Sequence, residues 1–237
     1  MTTLTDFNIC SNSDRTITLL GTIVPLLLRP FELVQTGRLL KKARFQTDQM
    51  QLPRDYYTAR ANIFSDSQVN SFVREHGTSP RFVYGPLVLP TVLKFYTGSS
   101  KTYPMEKYMT KAVLYGYELY QSGDKSIPVI ARSRNPKAVV EGMLVFNLEE
   151  SKRNSIFELE SGLGHLEVVQ VEIGCKPSRK RFIDAGAFLR AGSLDGLIPI
   201  KSTFWDPTAF VNSSFYQNIE QSVHRSAGDI SGSWLHA

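Results

Sequence analysis

The feature that most constrains this chain is its run of short alternating segments. Val113, Tyr115, Tyr117 and Leu119 alternate with Leu114, Gly116, Glu118 and Tyr120, the period of a half-buried strand. Ile127–Ile130 is short and extended, and Pro128 assigns it to an edge or irregular strand. Ala138–Leu148 is a longer apolar strand, Leu166–Ile173 alternates again, and Phe182–Leu189 closes the series. Turns are expected at Gly123-Asp124, Asn135-Pro136 and the basic stretch Lys176–Lys180. Five or six strands in succession with few helices argue for an α+β domain: a small, mostly antiparallel β-barrel with flanking helices.

Upstream of this block, Arg81-Phe82-Val83-Tyr84 reads as a strand that stops at Gly85-Pro86, and Pro90 opens a helix that ends at Gly98. Helices are also expected over Asp66–His76, capped by Ser65 or Asp66, over Glu149–Leu159, and over Trp205–Val223. Residues 1–78 differ from the rest and read as an N-terminal extension packing on the core. Residues 79–225 form the main domain, and the Gly- and Ser-rich residues 226–237 a frayed tail.

Composition narrows the function classes. Two cysteines, Cys10 and Cys175, cannot build a disulfide framework or a four-ligand zinc site, which leaves an intracellular, cytoplasmic chain as the expectation. The net charge of +5 is spread over three basic groups, Arg38–Arg44, Arg132–Lys137 and Lys176–Arg181. None interleaves with aromatics, so solvated loops are expected and no nucleic-acid partner. The apolar run Ile17–Leu28 is cut by Gly21 and Pro25 and ends at Arg29-Pro30; it is too short to span a bilayer, which takes about 20 residues. It is expected to pack on the folded body.

Chemistry-bearing motifs are few. His76, His165, His224 and His236 are not spaced as metal pairs, and there is no Walker loop, dinucleotide-binding glycine motif or nucleophile elbow. Two features remain. The Tyr84-Gly85-Pro86-Leu87 turn is followed by a helix whose N-terminal N–H groups would suit a small anion. Glu158 and Glu160 lie two apart on a helix, so one should point inward when the other points out.

In combination, these segments resemble the γ-glutamylcyclotransferase-like (AIG2-like) family over about residues 81–215. Phe82–Leu87 is similar to its Tyr-Gly-x-Leu loop, Ile127–Ile130 to its Pro-Ala-Ile step, and Val140–Leu144 to its Val-x-Gly-x-Leu strand. Ile156–Ser161 is similar to its Leu-Asp-x-Phe-Glu-Gly segment, Ala185–Ala191 to its late Ala-x-x-Tyr-Val strand, and Phe204-Trp205-Asp206 to its closing Trp motif. The resemblance implies a γ-glutamyl cyclotransferase that releases 5-oxoproline from a small γ-glutamyl substrate. It implies Glu160, not Glu158, as general acid/base, Tyr84, Gly85, Pro86 and Leu87 as the γ-glutamyl recognition loop, and no metal or organic cofactor. The long N-terminal extension is similar to fungal members, some of which trim glutathione adducts in gliotoxin-type secondary metabolism.

Three positions depart from the pattern. Gly164 and Phe188 stand where the family often has tyrosines, and Pro86 removes a backbone N–H from the loop. These departures keep a second expectation open: a non-catalytic ligand-binding or interaction protein on the same fold.

Overall fold

The computed structural model describes residues 52–122, 127–162, 164–190 and 192–225, all within the compact unit Asp48–Ala237. The apolar run Ile17–Leu28, Cys10, the first basic group, the Gly123-Asp124 turn and the tail lie outside the described residues.

The chain opens with α1 (Arg54–Ala61), the short β1 (Phe64–Ser65) and α2 (Asp66–Arg74). Ser65 caps α2: its hydroxyl accepts the Gln68 N–H while the Gln68 side chain returns to the Ser65 N–H, a reciprocal box. β2 (Arg81–Val83) leads through a 3-10 turn at Gly85–Val88 into α3 (Pro90–Tyr96). The expected strand over Val113–Tyr120 is two strands, β3 (Met109–Tyr115) and β4 (Tyr117–Ser122). Gly116, at φ 80°, supplies the break with a backbone conformation that side-chain-bearing residues resist. β5 (Pro128–Arg132) and β6 (Val139–Val145) follow, then α4 (Glu150–Glu160) and the long hairpin β7 (His165–Lys176) and β8 (Arg179–Leu189). β9 (Leu197–Pro199) was not legible in the sequence. The expected C-terminal helix is also two, α5 (Thr208–Val211) and α6 (Ser214–Arg225). Between them the Ser213 hydroxyl accepts the Tyr216 N–H, so a helix starts afresh there.

β7, β3, β6, β2 and β8 lie side by side, and pairing of β7 with β8 closes them into a five-stranded barrel. Every contact is antiparallel except β2 with β8, which run parallel at Arg81–Gly186. β1 extends the β7 edge, and β5, β4 and β9 form a second small sheet in which β5 is an edge strand, as Pro128 requires.

Strand alternation divides the core in two. Phe82 and Tyr84 face the barrel interior with Leu114, Val140, Leu144, Val171 and Ala185. Val83 faces the other way, into a second cluster with Leu87, Leu89, Leu93, Ile156, Phe188 and Ile219, where the helices cover the barrel wall. Gly142 of β6 lets the strands approach closely: a Cβ there would lie 2.5 Å from the Val83 carbonyl oxygen and 2.7 Å from the Phe82 ring. Residues 54–64 join both clusters through Tyr56, Ala59 and Phe64.

Candidate functional site

Glu160 is the last residue of α4. Ile156, one turn earlier, anchors that helix face in the outer cluster, so Glu160 is carried inward and Glu158 points out to solvent. Only 9% of Glu160 remains exposed. Burial pushes its carboxyl up to about 7. Among the described residues its carboxylate has no hydrogen-bond or ion-pair partner to offset that burial.

A narrow cavity runs beside it between α4 and the barrel wall, lined by Arg81, Phe82, Val83, Tyr84, Leu87, Ile156, Glu160 and Phe188. Its volume, about 10 Å³, is room for about one water. Of the turn residues singled out from sequence, Tyr84 and Leu87 share this cavity with Glu160. Gly85 lies on the other side of the turn, and Pro86 lines neither space. The Tyr84 hydroxyl is buried and donates to the Phe188 carbonyl at 2.9 Å. Burial and then the Glu160 charge push that phenol well above its ordinary range.

Gly85 sits at φ 59°, and a Cβ there would lie 2.6 Å from Pro128 Cγ. The Ile127-Pro128 step therefore braces the turn, and a side chain at 85 is barred twice. Pro86 sits at the start of the 3-10 turn, where its missing N–H deprives the fold of no bond. The expectation that the next helix aims its N-terminus into the site is not met. The 3-10 turn intervenes, and no residue of α3 lines the cavity.

Sequence reasoning missed three neighbours of Glu160. Arg81 and Phe188 share its cavity, and Tyr96 of α3 feels its charge: burial first and then Glu160 push the Tyr96 phenol up. Phe188 was noted only for its lost hydroxyl, and no local spacing marks Arg81 or Tyr96, because helix and strand packing decides who meets Glu160. Gly164 proves to be closed to any side chain. A Cβ there would lie 2.6 Å from the Leu189 carbonyl oxygen, and its N–H bonds to the Glu160 carbonyl.

A larger space of about 190 Å³ lies across the turn, lined among others by Tyr56, Arg60, Gly85, Lys111, Glu141, Glu172 and Trp205. Its acids are engaged: Glu172 pairs with Lys180 at 2.9 Å and accepts the Tyr115 hydroxyl, and Glu141 accepts the Thr203 hydroxyl. Elsewhere, Cys175 is buried, and burial followed by the charge of Asp66 pushes its thiol up, the opposite of an activated nucleophile. His165 contacts Glu167 at the surface, and among the described residues no three His, Cys, Asp or Glu side chains gather as metal ligands.

A closed mixed barrel with a buried carboxyl at a helix end, unpaired among the described residues, defines an α+β protein with a small, mostly apolar cavity around one acid. The family profile described as gamma-glutamyl cyclotransferase, AIG2-like, matches residues 81–207, more than half of the chain, and the chain belongs to that family. Among solved structures, it is similar to an Arabidopsis thaliana protein determined in solution (18% identity, covering 69% of this chain and 96% of that one, TM-score 0.41). It is also similar to an AIG2-like protein from Mus musculus (13%, 60% and 94%, 0.37). A third is a gamma-glutamyl cyclotransferase specific to glutathione from yeast (11%, 63% and 97%, 0.35). At these identities and scores the likenesses add nothing to the family assignment. No curated protein matches the chain.

Proposed function

We propose that the chain is a γ-glutamyl cyclotransferase with Glu160 as its general acid/base. The observation that carries this reading is a carboxyl held near neutrality by burial, without a partner, beside the Tyr84 turn. The substrate's α-amine attacks its own γ-carbonyl carbon. A C–N bond forms, closing a five-membered ring, and the bond from that carbon to the leaving amine breaks, giving 5-oxoproline. The amine arrives mostly protonated at neutral pH. Glu160 in its ionised form takes that proton and gives it to the departing nitrogen; the attacking nitrogen loses a second proton as the ring closes, which is carried off by the released amine as its ammonium, so protons balance over the cycle. Tyr84 to Leu87 hold the γ-glutamyl end and keep amine and carbonyl together. The substrate is a γ-glutamyl amino acid or amine, glutathione, or a glutathione adduct, all of which share that end, and the leaving group is the amino acid, amine or cysteinyl-glycine portion attached to it.

The domain reading goes with it. Residues 79–225 carry the reaction, and residues 1–78 form an extension whose described part packs on that core. The deciding experiment is 5-oxoproline formation from glutathione, γ-glutamyl-alanine, a γ-glutamylamine and a bulky glutathione S-conjugate, with Glu160→Gln alongside. Product that disappears in the folded variant supports the reading; undiminished product in the variant overturns it. A second reading, a binding protein without turnover, draws on the cavity's small volume and on Phe188, which brings no hydroxyl to it. That reading expects ligand binding with no 5-oxoproline from any member of the panel.

A further inference from the structure

The space across the Tyr84–Leu87 turn shares no lining residue with the Glu160 cavity. Its floor is one face of three strands. Val113 of β3 pairs with Glu141 of β6 on one side and with Glu172 of β7 on the other, and the same register sets Lys111 beside Gly174. Tyr56 and Arg60 of α1 form one wall. Phe204 and Trp205 form a second, fixed where the Glu141 N–H donates to the Thr203 carbonyl at 2.7 Å. Gly174 keeps the space open: a Cβ there would meet nothing within 4 Å. A cavity of about 150 Å³ accepts benzene. This one, about 190 Å³, has room for a ring with one small substituent.

The charges around it are unevenly met. Glu172 pairs with Lys180 at 2.9 Å and accepts the Tyr115 hydroxyl at 3.1 Å, and Glu141 accepts the Thr203 hydroxyl at 2.8 Å. Arg60 and Lys111 have no carboxylate within ion-pair distance among the described residues. Arg60 is nevertheless held in place. Its Nη1 donates to the Tyr56 hydroxyl at 3.3 Å, and its guanidinium carbon lies 5.6 Å from the centre of the Tyr56 ring. A guanidinium with N–H groups to spare, set among aromatic faces, suits a ligand that is flat, apolar and negatively charged. We propose that this space binds a small aromatic carboxylate, its ring among Tyr56, Phe204 and Trp205 and its carboxylate on Arg60. The site is separate from the chemistry at Glu160 and stands whether or not the γ-glutamyl reading holds.

The test is an NMR titration of the full chain with three probes: benzoate, benzamide, which removes the charge, and acetate, which removes the ring. Benzoate is expected to bind about tenfold more tightly than either. Arg60→Ala should weaken benzoate by about tenfold and leave benzamide unchanged, so that the preference for the acid disappears. Gly174→Val places a strand-favouring side chain in the open space and should weaken benzoate and benzamide alike, by about tenfold or more. Glu160→Gln should bind benzoate as the native protein does. Should Arg60→Ala fail to fold by circular dichroism, Arg60→Lys keeps the charge, loses the fork and should show an intermediate loss. A native protein that does not bind benzoate, or that binds benzoate and benzamide alike, overturns the proposal. So does benzoate affinity that survives the folded Arg60 and Gly174 variants. Loss of benzoate binding in Glu160→Gln puts the ligand in the small cavity and overturns it as well.

Discussion

Two spaces flank the Tyr84–Leu87 turn, and they differ in the inverse order of their size. The larger, about 190 Å³, holds Arg60, Lys111, Glu141 and Glu172, yet its acids are already bonded to neighbours. The smaller, about 10 Å³, holds the buried Glu160 carboxyl, which has no hydrogen-bond or ion-pair partner among the described residues. Volume measures what space is left, whereas uncompensated buried charge marks where the fold has accepted a cost. The contrast teaches that chemistry is to be sought at Glu160.

The sharpest way to break that comparison is Glu160→Gln. Loss of acid/base chemistry should lower 5-oxoproline release by about 10²- to 10⁴-fold in a coupled mass-spectrometric assay. For the native protein, kcat/KM should fall about tenfold per pH unit below pH 7, since only the ionised carboxyl accepts the amine's proton.

Stability should report the same carboxyl from the other side. Its folded-state value, about 7, lies above the ordinary 4.5, so the folded protein binds the proton more tightly than the unfolded chain. Stability from this group is therefore fully present below about pH 4.5, is lost as pH rises to about 7, and stays lost above. Relative to the native protein, Glu160→Gln should gain up to about 3 kcal/mol between pH 4.5 and 8 in urea titrations, a gain absent in acid.

The wall between the two spaces supplies the next test. Gly142→Ala would drive a methyl into the Val83 carbonyl and the Phe82 ring, both of which border the Glu160 cavity. A loss of about 1–3 kcal/mol is expected from such overpacking, with turnover falling alongside, measured by denaturant midpoint and initial rate. The smallest effect belongs to the large space. Lys111→Ala, at an exposed barrel position, should leave stability within about 0.5 kcal/mol and turnover within about twofold. A large loss there would shift the site across the turn.

Most elements were readable because each has a local cause. Alternation gave β7, an apolar run gave β6, the apolar stretch after the basic turn gave β8, a cap at Ser65 or Asp66 gave the start of α2, and Pro90 the start of α3. Where reading failed, one residue outweighed a longer pattern: Gly116 split a strand that alternation had joined, and Ser213 split a helix. The site was legible in part. Helix geometry allowed one of Glu158 and Glu160 inward, the family resemblance chose Glu160, and packing buried it. Arg81, Phe188 and Tyr96 were not legible as its neighbours, since nothing in their spacing refers to α4.

By itself, then, the sequence determined the order of most elements, the tight turn at Gly85 and that one of Glu158 and Glu160 could be buried while the other faced out, because these follow from periodicity and backbone sterics over a few residues. The tertiary structure alone decided that β3 pairs with β7 and that β2 runs parallel to β8, the two pairings that close the barrel around the β7–β8 hairpin. That closure brings Arg81 and Phe188 to Glu160 and seals position 164 against the Leu189 backbone, because such contacts join residues far apart in the chain and are fixed only when both faces of β2 find their cores.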